Sequence, residues 1–477
     1  MDTAQRFPAL TVAATSLGFA VVQLDVTIVN VALPRIAADL AASIASLQWL
    51  VDAYTLTFAV LLLSAGALSD RLGARAAYIA GFALFALASW MCGFAPDAQS
   101  LIAARALQGI GAALLVPSSL ALLNAACEGD ASWRARAVGL WTAAGGLSIA
   151  AGPLIGATLL GAFGWRSIFF VNVPFCALAV LAALRWLDAR RSRGVARRFD
   201  AAGQILAVVT LTALVATIIS ASKAQTQPAT IVAGFAVALV GAIAFCASET
   251  RAAAPMLPLA FFRRPGFGRA ILFGVIVNST YYGIVFVLSL YLQQARRYGA
   301  VEAALAYLPL TATFIVSNVA SGPLIARLGT GVPMIAGALI GAAGFALLAR
   351  LDAASHFVAM LAPFTLIPFG MGLAVPAMTT LVLSSVERSS SGTATGALNA
   401  GRQVGGALGV AVFGALVAHD RTVAGLREAA WISGALMIAA AVVAASRRRS
   451  TARFEDRSVE LDGHLPRNMQ PQRAPVR

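Results

Sequence analysis

The feature that most constrains this chain is a succession of apolar runs, each long enough to be a membrane helix, from Pro8 to Ser446 with only short polar breaks. About 20 apolar residues in a helix cross the roughly 30 Å hydrocarbon core of a bilayer, and so many such runs have no stable place in water. Composition agrees, since 59% of the residues are hydrophobic and 12% charged, too little polar surface to cover a soluble globule of 477 residues. The short alternating segments of a membrane β-barrel are absent. The expectation is an all-α membrane protein with fourteen spans, at roughly 10–33, 47–67, 76–95, 99–125, 136–160, 166–186, 201–221, 229–247, 268–292, 303–325, 332–350, 357–383, 393–418 and 429–446.

The net charge of +15 would suggest nucleic acid in a soluble protein. Here it has a different origin, because membrane helices are oriented by an excess of basic residues in cytoplasmic loops. With the N-terminus inside, 25 of the 35 basic residues fall on the cytoplasmic side, 8 outside and two, Arg105 and Arg402, within helices. An odd error in the number of spans would destroy this asymmetry. The implied partner is lipid, with no nucleic acid. Cys92, Cys127, Cys176 and Cys246 all lie in apolar runs, with no metal or disulfide pattern. The first run is too long for a cleavable signal and leads directly into further spans, so the N-terminus is expected to be mature.

The chain also contains itself twice. GALSDRLGARAAYIAG at 66–81 returns 256 positions later as GPLIARLGTGVPMIAG at 322–337, with Gly66, Arg71, Gly73 and Gly81 matched by Gly322, Arg327, Gly329 and Gly337. Both copies join two spans on the same membrane side, which predicts parallel six-helix repeats about an axis along the membrane normal. The expected organisation is a six-helix bundle at 1–186, a linker with two inserted spans at 187–264, a second six-helix bundle at 265–446 and a polar, disordered cytoplasmic tail at 447–477.

Two six-helix halves, each with a basic turn after its second span, resemble the major facilitator superfamily. Fourteen spans with the extra pair in the middle resemble its drug/proton antiporter branch. The motifs carrying the resemblance are LDVTIVNVALP at 24–34, the turn at Gly66, Arg105 with Gln108 and Gly109, Gly145 with Gly152, Pro153 and Gly156, and WRSIFFVNVP at 165–174. Three positions depart from the pattern: Ala74 replaces a second basic residue, Ala326 an acid in the second-half turn, and Ala157 a closing glycine. The resemblance implies a proton-coupled exporter of small lipophilic or cationic compounds. Its expected setting is a bacterial inner membrane, as a monomer with both termini cytoplasmic and the proton gradient as energy source. A transporter of a metabolite or organic anion is the alternative within the class. A non-transporting membrane sensor is the alternative outside it, disfavoured because the 31 residues from Arg447 to Arg477 are too few and too polar for the soluble output domain a sensor is expected to carry. The sequence holds no phosphate loop, metal-ligand cluster or hydrolase elbow, so neither an enzyme nor ATP as driver is expected.

Few residues inside the spans can carry chemistry. Asp25, Asp52 and Arg105 fall at similar depth in the outer half, counting about 1.5 Å per helical residue. Ionisable groups there cost about 2.5–3.5 kcal/mol on insertion scales, so they face a cavity or one another. Asp25 and Arg105 therefore form either a proton site or a structural clamp, and Asp52 is either a second proton site or a hydrated helix-end carboxylate. Asp70, Arg71 and Arg75, with Gly66 and Gly73, are expected at a cytoplasmic gate, although orientation alone would explain the arginines. Gly145, Gly152, Pro153 and Gly156 form either a hinge and seal between the halves or a close-packing stripe. Asn30, Gln108, Trp141, Tyr281, Tyr282, Phe286 and Arg402 are candidates for the cavity wall. For Arg402 snorkelling to the inner interface remains open, and the polar amides more often bond between helices.

Overall fold

The computed structural model describes residues 8–127, 131–187, 200–221, 226–252, 255–264, 266–387, 391–418 and 421–446. The expected tail and the linker at 188–199 lie outside these residues. Among the described residues the chain is all helix: α1 (Pro8–Asp39), α2 (Ile44–Leu72), α3 (Ala74–Gly93), α4 (Ala98–Ala126), α5 (Ala131–Phe163), α6 (Ser167–Trp186), α7 (Ala201–Ala221), α8 (Pro228–Arg251), α9 (Phe267–Ala295), α10 (Ala300–Leu328), α11 (Gly331–Leu348), α12 (Phe357–Ser384), α13 (Ser391–Leu416) and α14 (Thr422–Ala445). Thirteen of them are long and apolar enough to cross a membrane. The remaining one, α13, carries Ser391, Thr393, Thr395, Asn399, Arg402 and Gln403 in its first half. It packs along α9 and α2 within the bundle, so neighbouring helices shelter its polar groups.

Local chemistry sets the helix ends. Ser43 accepts the Ser46 N–H at the start of α2, and Asp97 accepts the Ser100 N–H in a capping box that starts α4. That hydrogen bond holds the exposed Asp97 carboxyl below its usual range. The turn motif ends α2 at Gly73, whose φ of 90° is a conformation that side chains disfavour, and its repeat partner Gly329 ends α10 at φ 73°.

The duplication seen in the sequence is also a duplication of packing. In the first half α1 runs along α5, α2 along α4, and α3 along α4 and α6. In the second half α9 runs along α13, α10 along α12, and α11 along α12 and α14, the same pairs shifted by one repeat. The halves meet along two seams, α2 with α13 and α5 with α10, while α1 touches α9 between them.

The two ends of the bundle differ. At the end away from the arginine-rich loops, Ile28, Leu33, Leu50, Leu101 and Trp165 of the first half share one buried apolar cluster with Ile284, Val287, Ala306 and Phe413 of the second. At the basic end the first half keeps a separate core around Tyr78, Phe82, Phe85 and Leu123. Polar ties between the halves repeat this asymmetry. Gln48 Nε2 donates to the Ala411 carbonyl (2.7 Å), Gln293 Nε2 to the Val31 carbonyl (3.0 Å) and Ser289 to the Asn30 carbonyl. All three lie toward the far end, so the bundle is sealed there.

The inserted pair lies over one seam. Val215 and Ile219 of α7 pack with Leu56 of α2 and with Ala407 and Ala411 of α13. Gln204 Nε2 donates to the Val60 carbonyl (3.1 Å), and Ser64 donates to the Gln204 side chain. α8 packs mainly on α7 and presents Val232, Leu239, Val240 and Ile243 outward, the surface expected toward lipid.

Candidate functional site

The polar centre of the first half is built from five helices. α1 supplies Asp25, completely buried, and α4 supplies Arg105 one turn before Gln108, so both side chains reach the same carboxylate. Arg105 Nη1 lies 2.5 Å from Asp25 Oδ2. Gln108 Nε2 donates to Oδ1 (2.9 Å), as does Asn172 Nδ2 from α6 (3.1 Å). Arg105 also donates through Nε to the Leu50 carbonyl (3.2 Å) and through Nη1 to Gln108 Oε1 (2.8 Å). Its guanidinium lies over the Tyr54 ring of α2 at 4.3 Å. Ser89 of α3 closes the network: it accepts from Asn172 (3.0 Å) and Gln108 (3.3 Å) and donates to the Phe169 carbonyl (2.9 Å).

Close backbone approach makes this network possible. A Cβ on Gly109 would stand 2.5 Å from the Tyr54 carbonyl, so only glycine lets α4 sit this near α2. The network includes Tyr54 and Ser89, neither of which was singled out in the sequence; the available signal for Ser89 is a polar residue inside the apolar run ALFALASWMCG.

Of the two expectations for Gln108, the cavity wall fails and the bond between helices holds, since it is fully enclosed and turned to Asp25. Phe286 is also no wall residue, being wholly buried in the apolar cluster that joins the halves. Trp141 stacks on Phe19 with ring centroids 4.0 Å apart and donates to Ser119 Oγ (3.2 Å), which places it inside the first half. A small midplane cavity of about 20 Å³ is lined by Thr27, Asn30, Pro153, Tyr281, Tyr307 and Thr311 among others, so Asn30 and Tyr281 do border a space between the halves. Arg402 stands eleven residues after Ser391, about 16 Å along α13 and too deep to snorkel to that end. Tyr282 packs beside Tyr281, and its ring borders Gly406 of α13.

Of the two expectations for Asp52, a second proton site or a hydrated helix-end carboxylate, the hydrated one does not hold. It is completely buried, and neither carboxylate oxygen has a hydrogen-bond partner. The reason is that α2 begins at Ile44 and places Asp52 on the stripe with Gln48 and Leu56, the face covered by α13 and α7.

The glycines of α5 do not face the other half. Cβ atoms on Gly145, Gly152 and Gly156 would meet Phe19, Thr27 and Ile28 of α1, so this stripe seats α1 within its own half. The neighbouring residue Pro153 faces the midplane cavity. At the basic turn Arg75 donates to the carbonyls of Ala183 (3.2 Å) and Leu184 (2.7 Å) at the end of α6, a favourable place for a cation. It thus ties α3 to α6 and does not cross to the second half. Gly66 has open space around it, Arg71 is exposed, and the Asp70 side chain lies outside the described residues.

Two repeated bundles, sealed together at one end, with the Asp25–Arg105 pair enclosed among the spans, define the class as a membrane transporter built from two halves. Residues 15–410 match the family described as Major Facilitator Superfamily. The chain is 36% identical over 406 residues to the methylenomycin A resistance protein of Streptomyces coelicolor, covering 85% of both chains. It is 35% identical over 431 residues to the multidrug resistance protein Stp of Mycobacterium tuberculosis, covering 90% of this chain and 78% of that one. It is 34% identical over 409 residues to the tetracenomycin C resistance and export protein of Streptomyces glaucescens, covering 86% and 76%. The chain belongs to the major facilitator superfamily and is a multi-pass membrane transporter of its drug-efflux type.

Proposed function

We propose that this transporter exports lipophilic drug-like compounds in exchange for protons, from a bacterial inner membrane whose cytoplasmic side is the arginine-rich end. The observation that supports this reading best is the enclosure of Asp25. Its partners come from α4 and α6, and the neighbours of Arg105 from α2, so a tilt of any one helix changes the donors around the carboxylate. A guanidinium at contact favours the ionised acid, whereas withdrawal of donors from a buried site favours the neutral acid. Alternating access then alternates proton affinity. A proton moving inward through 100 mV releases about 2.3 kcal/mol, enough to drive cargo outward against a gradient.

In this reading the contacts of Gln48, Ser289 and Gln293 are the outer seal of an inward-facing form. Export requires that seal to open while the basic ends close. Asp52, enclosed on the α2–α13 seam without a partner, serves in this reading as a second group whose surroundings change with the rocking. The turn at Gly66 to Arg75 is the cytoplasmic gate that forms when the halves close. Protons are the only co-substrate the reading needs.

Everted vesicles provide the test. A fluorescent lipophilic cargo should accumulate when the membrane is energised, release protons from the lumen as it enters, and leak out on adding an uncoupler. Accumulation that persists unchanged with the uncoupler would overturn proton coupling.

A further inference from the structure

Arg105 has its carboxylate, but the second arginine within the spans has none. Arg402 on α13 donates from Nε to Asn278 Oδ1 and from Nη1 to Asn399 Oδ1, both at 3.4 Å, long contacts to neutral amides. Among the described residues no acid pairs with it, and its remaining guanidinium N–H groups have no partner. A guanidinium carries five donors in a planar fork that matches a carboxylate, so most of its bonding capacity is unused.

Its surroundings are arranged around the side chain. The Arg402 stem packs where Gly274 of α9 leaves room, since a Cβ there would meet its Cγ at 3.4 Å. The Tyr282 ring lies against Gly406 of α13, one turn after Arg402 on the same helix. Arg402 is half-buried at mid-depth, in the half-bundle that is not joined to its partner core at the basic end. The one acid of the network beyond Tyr54, Asp25, is already neutralised by Arg105. Asp52 is enclosed on the α2–α13 seam, so among Asp25, Asp52, Arg105 and Arg402 only Arg402 keeps exposed surface.

We infer that Arg402, with Tyr282 and Asn278, is a receptor for the carboxylate of an anionic amphiphile, so that cargo carrying an aromatic or alicyclic body and one carboxylate is preferred over its neutral or cationic analogue. The body lies against Tyr281 and Tyr282 while the carboxylate replaces the long amide contacts of the guanidinium. Cationic cargo would need a reachable carboxylate, whereas Asp25 is closed off by three donors and Asp52 is wholly buried. The inference rests on the export reading but not on proton coupling.

The test is equilibrium binding to the full-length protein in nanodiscs of zwitterionic lipid, without a gradient, using 1-pyrenebutyrate, 1-pyrenebutanol and 1-pyrenebutyl-trimethylammonium. The wild type should bind the butyrate roughly tenfold or more tightly than the alcohol, the gain from a charge-assisted hydrogen-bonded pair. Arg402→Gln should abolish that preference while retaining alcohol binding, which also shows that it is folded, and Arg402→Lys should keep part of it. Equal wild-type affinity for all three probes would overturn the inference, as would a preference surviving in Arg402→Gln or equal loss of alcohol and butyrate in both variants. Displacement of the butyrate by added phosphatidylglycerol would assign the site to a lipid headgroup and overturn it too. Uncoupler-insensitive export would refute proton coupling and leave this binding result unaffected.

Discussion

Asp25→Asn separates a proton site from a clamp when combined with a change at Arg105. The substitution keeps the shape of the side chain but leaves the Arg105 guanidinium buried at 1% exposure without its counter-charge. Removing one partner of a buried, hydrogen-bonded ion pair costs about 3–5 kcal/mol. Asn172 and Gln108 are neutral and cannot replace the lost charge: Asn172 donates to Asp25 Oδ1, not to the Oδ2 that Arg105 holds, and Gln108 Oε1 already accepts from Arg105. At roughly 2–4 °C per kcal/mol for a body of this size, thermal unfolding in detergent should fall by about 6–20 °C. Replacing the whole pair, Asp25→Leu with Arg105→Met, removes both charges and should recover most of that loss. The reading above then requires the double variant to be stable yet unable to couple export to the proton gradient in everted vesicles. If the double variant restores uncoupler-sensitive accumulation together with stability, the pair is only a clamp. If Asp25→Asn alone unfolds at the wild-type temperature, the energetics assigned to the enclosed pair are wrong.

Other consequences follow from the same packing. Asp52→Leu should match or exceed the wild type in thermal stability, because it removes two buried acceptors that have no donor, while lowering proton release per cargo in the vesicle assay. Gly152→Ala should destabilise by about 1–3 kcal/mol, since its Cβ would stand 2.0 Å from Thr27 Oγ1, whereas Gly146→Ala, with open space around it, should be neutral or slightly stabilising in thermal unfolding. The Asp97 cap is complete above the ordinary aspartate range and is lost only as pH falls through the depressed value of the folded state, so amide exchange in the first turn of α4 should rise at that low pH and not before. Gln204→Leu should loosen α7 from α2 at a cost of about 1 kcal/mol per lost hydrogen bond, read as faster exchange in α7 with the α4 core unchanged.

The membrane class, the fourteen spans and the duplication were legible in the sequence because hydropathy depends on local runs of about 20 residues and the repeat on a fixed offset of 256 positions. That Asp25 and Arg105 share a level was legible too, since helical rise turns residue number into height and the two side chains meet. Rotation about each helix axis was not. Whether Gln108 faces a cavity or a carboxylate, whether the α5 glycines meet α1 or the other half, and whether Asp52 is wet or sealed all depend on which neighbour covers a given face. Apolar residues surround these helices on nearly every side, so the pattern carries little azimuthal information. Tertiary packing alone decides that Arg105 is paired and Arg402 is not: α4 lies against α1 and brings a carboxylate within reach, whereas α13 lies against α9, where the facing side chains are Asn278 and Tyr282.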